Sequence, residues 1–314
     1  MITLSGIIWN PSEGIDLGFF QLRFYSLMFV VAFSLGWYIT KAIFDREKQT
    51  QEMLDKLFMY TVLGTLLGAR LGHVFFYDWA YYSEHLLEIL LPIRETASGG
   101  YEFTGFAGLA SHGAAIAIIA IMVHYSKNII KKPLLWVLDR IVIPVASGAV
   151  FVRLGNFMNS EIIGKPADES VFLATKFIRG EDTLKPYQAM QLTQTTSPNA
   201  AFAQIENAPQ FASILNDIPF RYPAQLYEAI CYVFVFAILF FMYWKTPARE
   251  KSGLLFGTFL VLLWTVRFFV EYVKESQGGF ESALGLLSTG QWLSIPFIAI
   301  GLFFMVKPFI KKPA

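Results

Sequence analysis

The sequence predicts an all-α polytopic membrane protein with seven transmembrane helices. Of its 314 residues, 55% are hydrophobic and only 16% are charged, and the mean hydropathy is +0.48. Seven apolar stretches are long enough to cross the hydrocarbon core of a bilayer. Lysine and arginine also collect in alternate loops, which is typical of a chain that crosses a membrane repeatedly.

The seven expected spans are separated by short connections and by one long polar segment. They cover approximately residues 18–43, 55–77, 105–125, 134–157, 223–244, 253–273 and 290–307. Residues 1–17 lack a basic region and a small-residue cleavage site. We therefore expect the first span to be retained as a helix and not removed as a signal peptide.

The loop charges orient these spans. One side receives thirteen basic residues, whereas the short loops of the other side offer only Arg94 and Lys274. The thirteen are Lys41, Arg46, Lys48, Lys56, Lys127, Lys131, Lys132, Lys245, Arg249, Lys251, Lys307, Lys311 and Lys312. The basic side should be cytoplasmic. Residues 1–159 then hold helices 1–4 with the N-terminus outside, residues 160–222 form an extracytoplasmic cap or loop region, and residues 223–314 hold helices 5–7 with the C-terminus in the cytoplasm.

The sequence lacks the residues that several classes of function need. The net charge is +1 and no basic tract is interleaved with aromatic residues, so nucleic acid is not an expected partner. Cys231 is the single cysteine, which excludes internal disulfides. The four histidines have no metal-ligand spacing, and no HExxH or GxSxG motif occurs. We expect no metal and no cofactor.

Polar side chains within the expected spans concentrate in the outer half of the membrane. They are Arg23, Tyr25, Arg70, His73, His112, Arg153, Asn156, Gln225, Glu228, Arg267, Glu271 and Gln291. A central arginine costs about 2.5 kcal/mol or more, so each arginine needs a partner. The four arginines outnumber the carboxylates, and a phospholipid phosphate matches the guanidinium fork. We therefore expect a site for an anionic lipid. The structural alternative is pairing within the helix bundle, as between Arg267 and Glu271 at i, i+4.

His112 is the candidate general base. It lies in Gly108-Leu-Ala-Ser-His112-Gly-Ala-Ala, where small residues leave space around the imidazole. A neutral imidazole accepts a proton near neutral pH. The alternative is a histidine that only packs. Because no covalent nucleophile is visible, direct transfer between two bound substrates is favoured, with arginines stabilising a departing phosphate.

One motif is more specific than these separate residues. Residues 153–164 read Arg153-Leu-Gly-Asn156-Phe-Met-Asn159-Ser-Glu161-Ile-Ile-Gly164, which is similar to the signature R-[LI]-G-N-F-x-N-G-E-x-x-G of the prolipoprotein diacylglyceryl transferase family. Supporting elements occur in the family's order and are Arg23-Phe-Tyr25-Ser-Leu-Met, Gly68-Ala-Arg70-Leu-Gly-His73-Val-Phe-Phe-Tyr77, Ser111-His112-Gly113, Tyr222-Pro-Ala-Gln225-Leu-Tyr227-Glu228, Arg267-Phe-Phe-Val-Glu271 and Gly290-Gln291-Trp-Leu-Ser-Ile-Pro296. Across most of its length, the chain resembles this family of bacterial inner-membrane enzymes.

The resemblance implies a multi-pass inner-membrane transferase whose partners are membrane lipids and secreted precursors. Such an enzyme moves the diacylglyceryl group of phosphatidylglycerol to the lipobox cysteine of a prolipoprotein signal peptide, forms a thioether and releases glycerol phosphate. His112, Arg153 and Arg267 match essential positions of the family. The resemblance implies that the histidine helps to deprotonate the thiol and that the arginines hold the phosphodiester. The implied substrate-binding residues are Arg153, Arg267, Tyr25, Arg70, Asn156, Glu161, Gly164, Gln225, Glu228 and Glu271.

The chain departs from the family pattern at a few places. The family usually has tyrosine four residues before the second arginine, whereas this chain has Leu263 with Trp264 beside it. Tyr222, Ser160 and Ala114 stand where histidine, glycine and glycine are usual.

Two other functions fit part of the pattern. A transporter or binding protein for outer-leaflet anionic phospholipid would use the arginines without chemistry, although transport predicts polar groups through both membrane halves. An intramembrane hydrolase or phosphotransferase would act on the same headgroup, but we expect it to carry a nucleophile or metal motif.

Overall fold

The computed structural model describes residues 6–18, 21–96, 99–103, 108–180, 182–275 and 285–310. Within these ranges, five helical segments are long and apolar enough to cross a membrane. They are α1 (Phe24–Arg46), α2 (Gln51–Phe76), α6 (Leu134–Met158), α10 (Ala224–Lys245) and α12 (Thr289–Val306), the last extended by a short 3-10 turn to Phe309. The chain is therefore a mostly helical, polytopic membrane protein, as the sequence predicts.

Two of the expected spans fall on shorter helices. These are α5 (Ser111–His124) and α11 (Leu254–Val270), both strongly apolar. A π-helical turn, Tyr125–Ile129, extends α5 at its end. The expected span 105–125 begins with residues 105–107, which lie outside the described residues, as do Lys311 and Lys312 of the basic loops.

The remaining described helices are short and lie outside the expected spans. They are α3 (Trp79–Tyr82), α4 (Leu87–Leu90), α7 (Pro186–Thr193), α8 (Pro198–Asn207) and α9 (Ala212–Asp217), with 3-10 turns at Pro209–Phe211 and Pro247–Glu250. The expectation of an all-α chain is wrong in detail, because the described residues also include six three-residue strands. The strands are β1 (Ile7–Trp9), β2 (Gly14–Asp16), β3 (Gln21–Arg23), β4 (Ile93–Glu95), β5 (Tyr101–Phe103) and β6 (Thr175–Phe177). Segments this short carry too few residues for an alternating apolar pattern.

The strands form three two-stranded sheets. β1 pairs with β6 in parallel, with Ile7 opposite Thr175, and the pairs β2–β3 and β4–β5 are antiparallel. The β1–β6 pairing joins the N-terminal segment to the 160–222 region.

The chain divides into two compact units. The larger unit contains Met1–Gly36 and Val142–Ala314, and the smaller unit contains Trp37–Ile141. The boundaries fall within α1 and α6.

Local sequence explains where several of the long helices begin. Thr50 caps α2 by accepting a hydrogen bond from the Met53 backbone N–H at 3.3 Å. Ser288 and Gln291 form a capping box at the start of α12. These side chains satisfy N–H groups that the first helical turn leaves without partners.

In the smaller unit, α2 and α5 pack at very short range. A Cβ atom added at Gly68 would lie 2.8 Å from the Gly113 carbonyl oxygen, and one added at Gly72 would lie 2.6 Å from the Gly113 Cα. Small residues at this spacing allow two membrane helices to approach closely. This contact fixes the backbone beside Arg70 and His112, which are neighbours of these glycines in sequence.

The 160–222 region of the larger unit has an apolar core of its own. Its buried members are Ile178, Ala189, Ala201, Phe202, Ile205 and Ile218. A second cluster joins Phe157, Ile163 and Phe177 to Trp9, whose indole N–H donates to the Phe157 carbonyl at 2.9 Å. The region is therefore folded and is attached to the end of α6 by apolar contacts.

Candidate functional site

The larger unit buries a group of polar side chains from α6, α10 and the end of α11. We call Arg153, Glu228, Tyr232, Arg267, Glu271 and Lys274 the arginine cluster. Glu228, Glu271 and Lys274 are each less than 10% exposed. Buried charges persist only where other charges or hydrogen bonds compensate their lost hydration.

Arg153 is held by three side chains. Its Nε forms a salt bridge with Glu228, its Nη1 donates to Asn156 Oδ1 at 3.3 Å, and the guanidinium also interacts with the Tyr232 hydroxyl. Glu228 and Tyr232 both lie on α10, four residues apart and hence on one face of the helix. These contacts fix the direction of the Arg153 guanidinium.

A hydrogen-bond network continues from Asn156 along the motif. Asn156 donates to Glu161 at 3.4 Å, and Asn159 donates to the other Glu161 carboxylate oxygen at 3.1 Å. The Tyr25 side chain interacts with Asn156, and Gln225 donates to the Glu161 backbone carbonyl at 3.0 Å. The end of α6, the start of α1 and the start of α10 therefore meet around Arg153.

Arg267 has different surroundings. Among the described residues, no carboxylate lies within salt-bridge distance of it, and its buried Nε has no hydrogen-bond partner. Its guanidinium carbon lies 5.5 Å from the centre of the Trp264 ring. The charges of Arg267 and Arg153 both act on Tyr232 and on Lys274, so the two arginines belong to the same cluster.

The suggested pairing of Arg267 with Glu271 is wrong. Glu271 instead lies beside Lys274, with 3.8 Å between its Oε2 and the ammonium nitrogen. A Cβ added at Gly290 would lie 2.4 Å from the Glu271 carboxyl carbon, so the carboxylate sits directly over the first turn of α12. The positive end of a helix dipole stabilises an anion there.

Lys274 follows α11 and lies outside the expected span. Burial lowers the pKa of its ammonium group, while the charge of Glu271 acts in the opposite direction. Lys274 is therefore a buried third cation of the arginine cluster.

Gly164 occupies a position with no room for a side chain. An added Cβ would lie 2.5 Å from the Tyr222 carbonyl oxygen and 2.6 Å from that of Val273. The Gly164 N–H donates to the same Tyr222 oxygen, and Gly164 pairs with Lys274 as an isolated bridge. This glycine brings the end of the motif against the residues that follow α11.

Three other expected residues lie elsewhere. Arg23 is exposed at the end of β3. In the smaller unit, Arg70 is buried, donates to the backbone carbonyls of Glu88 and Ile89, and lies 4.7 Å from the Tyr82 ring centre. His112 is the second residue of α5 and its side chain is exposed.

Sequence reasoning missed three residues of the site. Tyr232 lies one turn after Glu228 on the same face of α10, and this spacing could have predicted that it belongs to the site. The sequence places Lys274 in a short loop, and it gives Trp264 no role beyond its position next to Leu263.

The arginine cluster and the neighbouring residues Ser160 and Gln225 include several buried polar atoms without hydrogen-bond partners in the described part of the chain. They are Ser160 Oγ, Gln225 Oε1, Glu228 Oε1, Arg267 Nε and Glu271 Oε2. Folded proteins leave few buried polar atoms unsatisfied, so this concentration favours a site for a polar ligand. In the same ranges, no three His, Cys, Asp or Glu side chains are grouped to hold a metal ion.

The fold and the site thus define a polytopic membrane protein with a buried, arginine-containing polar site. Residues 13–307 match the family model of prolipoprotein diacylglyceryl transferase. Three relatives carry the name phosphatidylglycerol--prolipoprotein diacylglyceryl transferase. That of Bacteroides fragilis is 35% identical, covering 96% of this chain and 95% of its own length. That of Chloroherpeton thalassium is 36% identical (96% and 94%), and that of Tolumonas auensis is 34% identical (96% and 96%).

The chain belongs to the prolipoprotein diacylglyceryl transferase family, and it is a transferase. This confirms the resemblance that the motif around Arg153 indicated.

Proposed function

We propose that the protein transfers the diacylglyceryl group of phosphatidylglycerol to the lipobox cysteine thiol of a prolipoprotein signal peptide. The observation that carries the proposal is the pair of arginines, of which Arg153 is neutralised by Glu228 and Arg267 has no carboxylate partner among the described residues. An unneutralised, partly buried guanidinium favours an anionic ligand, and phosphate matches its donor geometry. The printed names of the relatives supply the two substrates.

The reaction is a substitution at carbon. The sulfur of the deprotonated cysteine attacks the glyceryl carbon that carries the phosphate, a carbon–sulfur bond forms, and the carbon–oxygen bond to the phosphate breaks. Glycerol phosphate leaves with that electron pair, and the product is a thioether. The arginines stabilise the charge that grows on the departing phosphate.

His112 is the proposed acceptor of the thiol proton. A cysteine thiol has an unperturbed pKa of about 8.5 and attacks only as the thiolate. The exposed position of His112 at the start of α5 leaves its imidazole accessible to a substrate. Tyr25, Asn156 and Glu161 orient Arg153, whereas Gly164, Gln225 and Glu271 support the lipid site through the backbone and charge contacts described above. For Arg70, which lies in the smaller unit, the substrate-binding role is proposed from the family resemblance alone.

The proposed topology has seven membrane spans in the bacterial inner membrane, with α5 and α11 as the two short ones. The 160–222 region is the extracytoplasmic cap, the N-terminus is outside and the C-terminus is cytoplasmic. Two observations support this arrangement: the β1–β6 pairing, and the bridge between Gly164 and Lys274 at the expected outer ends of α6 and α11.

The test uses the purified protein in nanodiscs with phosphatidylglycerol and a lipobox peptide. We expect the peptide mass to rise by one diacylglyceryl group and free glycerol phosphate to appear. A peptide with serine in place of the lipobox cysteine is the control and should not react. No peptide modification by the intact protein, together with movement of labelled phosphatidylglycerol across vesicles, would replace this proposal with the lipid-transporter alternative.

A further inference from the structure

Trp264 forms an aromatic stack at the contact between α11 and α12. Its ring lies parallel to that of Phe297, with 4.2 Å between the ring centres and 5° between the planes. Arg267 follows Trp264 by three residues on α11, and its guanidinium carbon lies 5.5 Å from the Trp264 ring centre. The tryptophan therefore contacts both the packing partner of α11 and the arginine.

A guanidinium group is usually oriented by hydrogen bonds or by a carboxylate. Arg267 has neither at its Nε among the described residues. Its Nε has no hydrogen-bond partner in the described residues, and Glu271 is beside Lys274. Leu263, which precedes Trp264, has no polar atom in its side chain. The face of an indole ring attracts a guanidinium through its quadrupole without cancelling the positive charge.

We propose that Trp264 is a positioning residue for Arg267: its ring directs the guanidinium into the arginine cluster and leaves the charge available for the lipid phosphate. The inference rests on the proposed function for the identity of the ligand. Phe297 holds the indole in place by stacking, so that Arg267 loses little conformational freedom when the phosphate binds.

The surroundings of Arg153 show the alternative arrangement. There a carboxylate, Glu228, fixes the guanidinium and also neutralises it. An aromatic ring can fix the direction of a guanidinium without neutralising its charge.

The test measures phosphatidylglycerol binding by native mass spectrometry of the purified protein, with diacylglycerol, which has no phosphate, as the reference lipid. Trp264→Leu should weaken phosphatidylglycerol binding about tenfold, because it removes the cation–π contact with Arg267. Trp264→Phe retains an aromatic face and should stay within about threefold of the unmodified protein. Binding of diacylglycerol should change in neither variant.

A double-mutant cycle separates positioning from packing. If Trp264 acts through Arg267, Trp264→Leu should have no further effect on phosphatidylglycerol binding once Arg267→Ala is present. Additive losses, or equal losses for the Phe and Leu variants, would show that Trp264 contributes packing alone and would overturn the inference. If the Leu variant does not fold, Phe297→Leu in the same cycle gives the equivalent comparison.

Trp136→Leu is the matched control. Trp136 also lies beneath an arginine, with 4.4 Å from its ring centre to the Arg140 guanidinium carbon, but Arg140 is paired with Glu47 at 2.8 Å. This variant should bind phosphatidylglycerol normally. The transfer assay is read separately: an unmodified protein that binds the lipid but does not transfer it would refute the proposed reaction, while the binding cycle would still decide the role of Trp264.

Discussion

The surroundings of Arg153 and Arg267 differ although both arginines belong to one cluster. Arg153 has a carboxylate, an amide and a hydroxyl around it, whereas Arg267 has an aromatic ring and no described carboxylate. The comparison indicates a division of labour. Arg153 is fixed in place together with its counter-ion. Arg267, which has no carboxylate within salt-bridge distance among the described residues, is the arginine that we propose binds the lipid phosphate.

The two arrangements also differ in their expected effect on stability. Removing one member of a buried ion pair costs about 3–5 kcal/mol, because the remaining charge has no partner. The Arg153–Glu228 pair should therefore contribute to folding as well as to the site. Arg267 has no such partner among the described residues, so its removal should leave the fold largely intact.

The largest expected effect is on catalysis and follows Arg267→Ala. Loss of the unneutralised charge should lower kcat/KM by about a thousandfold, as for other groups that stabilise a departing phosphate. Thermal unfolding in detergent should change little. Arg267→Lys is the matched control and should recover part of the rate, since it restores the charge without the planar fork. Transfer at the normal rate by the alanine variant would remove Arg267 from the mechanism.

Glu228→Gln tests the other half of the comparison. It should lower the rate about a hundredfold through misplacement of Arg153, and it should destabilise the protein by about 3 kcal/mol. Replacing both partners, with Arg153→Met and Glu228→Met, should restore most of the stability but none of the activity. If Glu228→Gln unfolds at the same temperature as the unmodified protein, the pair has no structural role.

Tyr232→Phe removes a single hydroxyl from the Arg153 side. A hydrogen bond to a charged group contributes about 1.5–3 kcal/mol, so kcat should fall about tenfold or more. Phosphatidylglycerol binding should be nearly unchanged, because Arg267 is intact. The measurement is kcat and KM in nanodiscs, with Tyr227→Phe on the same helix as control. A rise in KM at constant kcat would assign Tyr232 to lipid binding instead.

Gly164→Ala should have the smallest effect on rate, and it acts through the backbone. Its methyl group would press on two carbonyl oxygens at 2.5 and 2.6 Å, so we expect a destabilisation of about 1–3 kcal/mol. Hydrogen exchange should increase near Tyr222 and Val273. Gly180→Ala is the matched control in the same region, because there the nearest atom to an added Cβ is 3.3 Å away. Unchanged exchange near both residues in the Gly164 variant would contradict the close backbone approach.

Much of the fold follows from the sequence, because length and apolar composition identify a membrane helix without knowledge of its neighbours. The three-residue strands β1 and β6 could not be predicted, since they pair across more than 160 residues and neither has a pattern of its own.

The site shows the same limit. The motif from Arg153 to Gly164 predicts that its members act together, and the structure places Asn156, Asn159 and Glu161 in one network. The ion-pair partner of each charged side chain could not be predicted in the same way. Spacing alone favoured pairing of Arg267 with Glu271, but helix ends and the packing of α12 direct Glu271 towards Lys274. Side-chain direction at a helix end depends on the tertiary fold, which spacing does not record.

The most direct test is a structure of the protein with phosphatidylglycerol bound. The lipid phosphate should lie within about 4 Å of the Arg267 guanidinium, with Arg153 still paired to Glu228. A phosphate bound far from both arginines, or an Arg267 that turns away to a carboxylate in the lipid-bound state, would contradict the account.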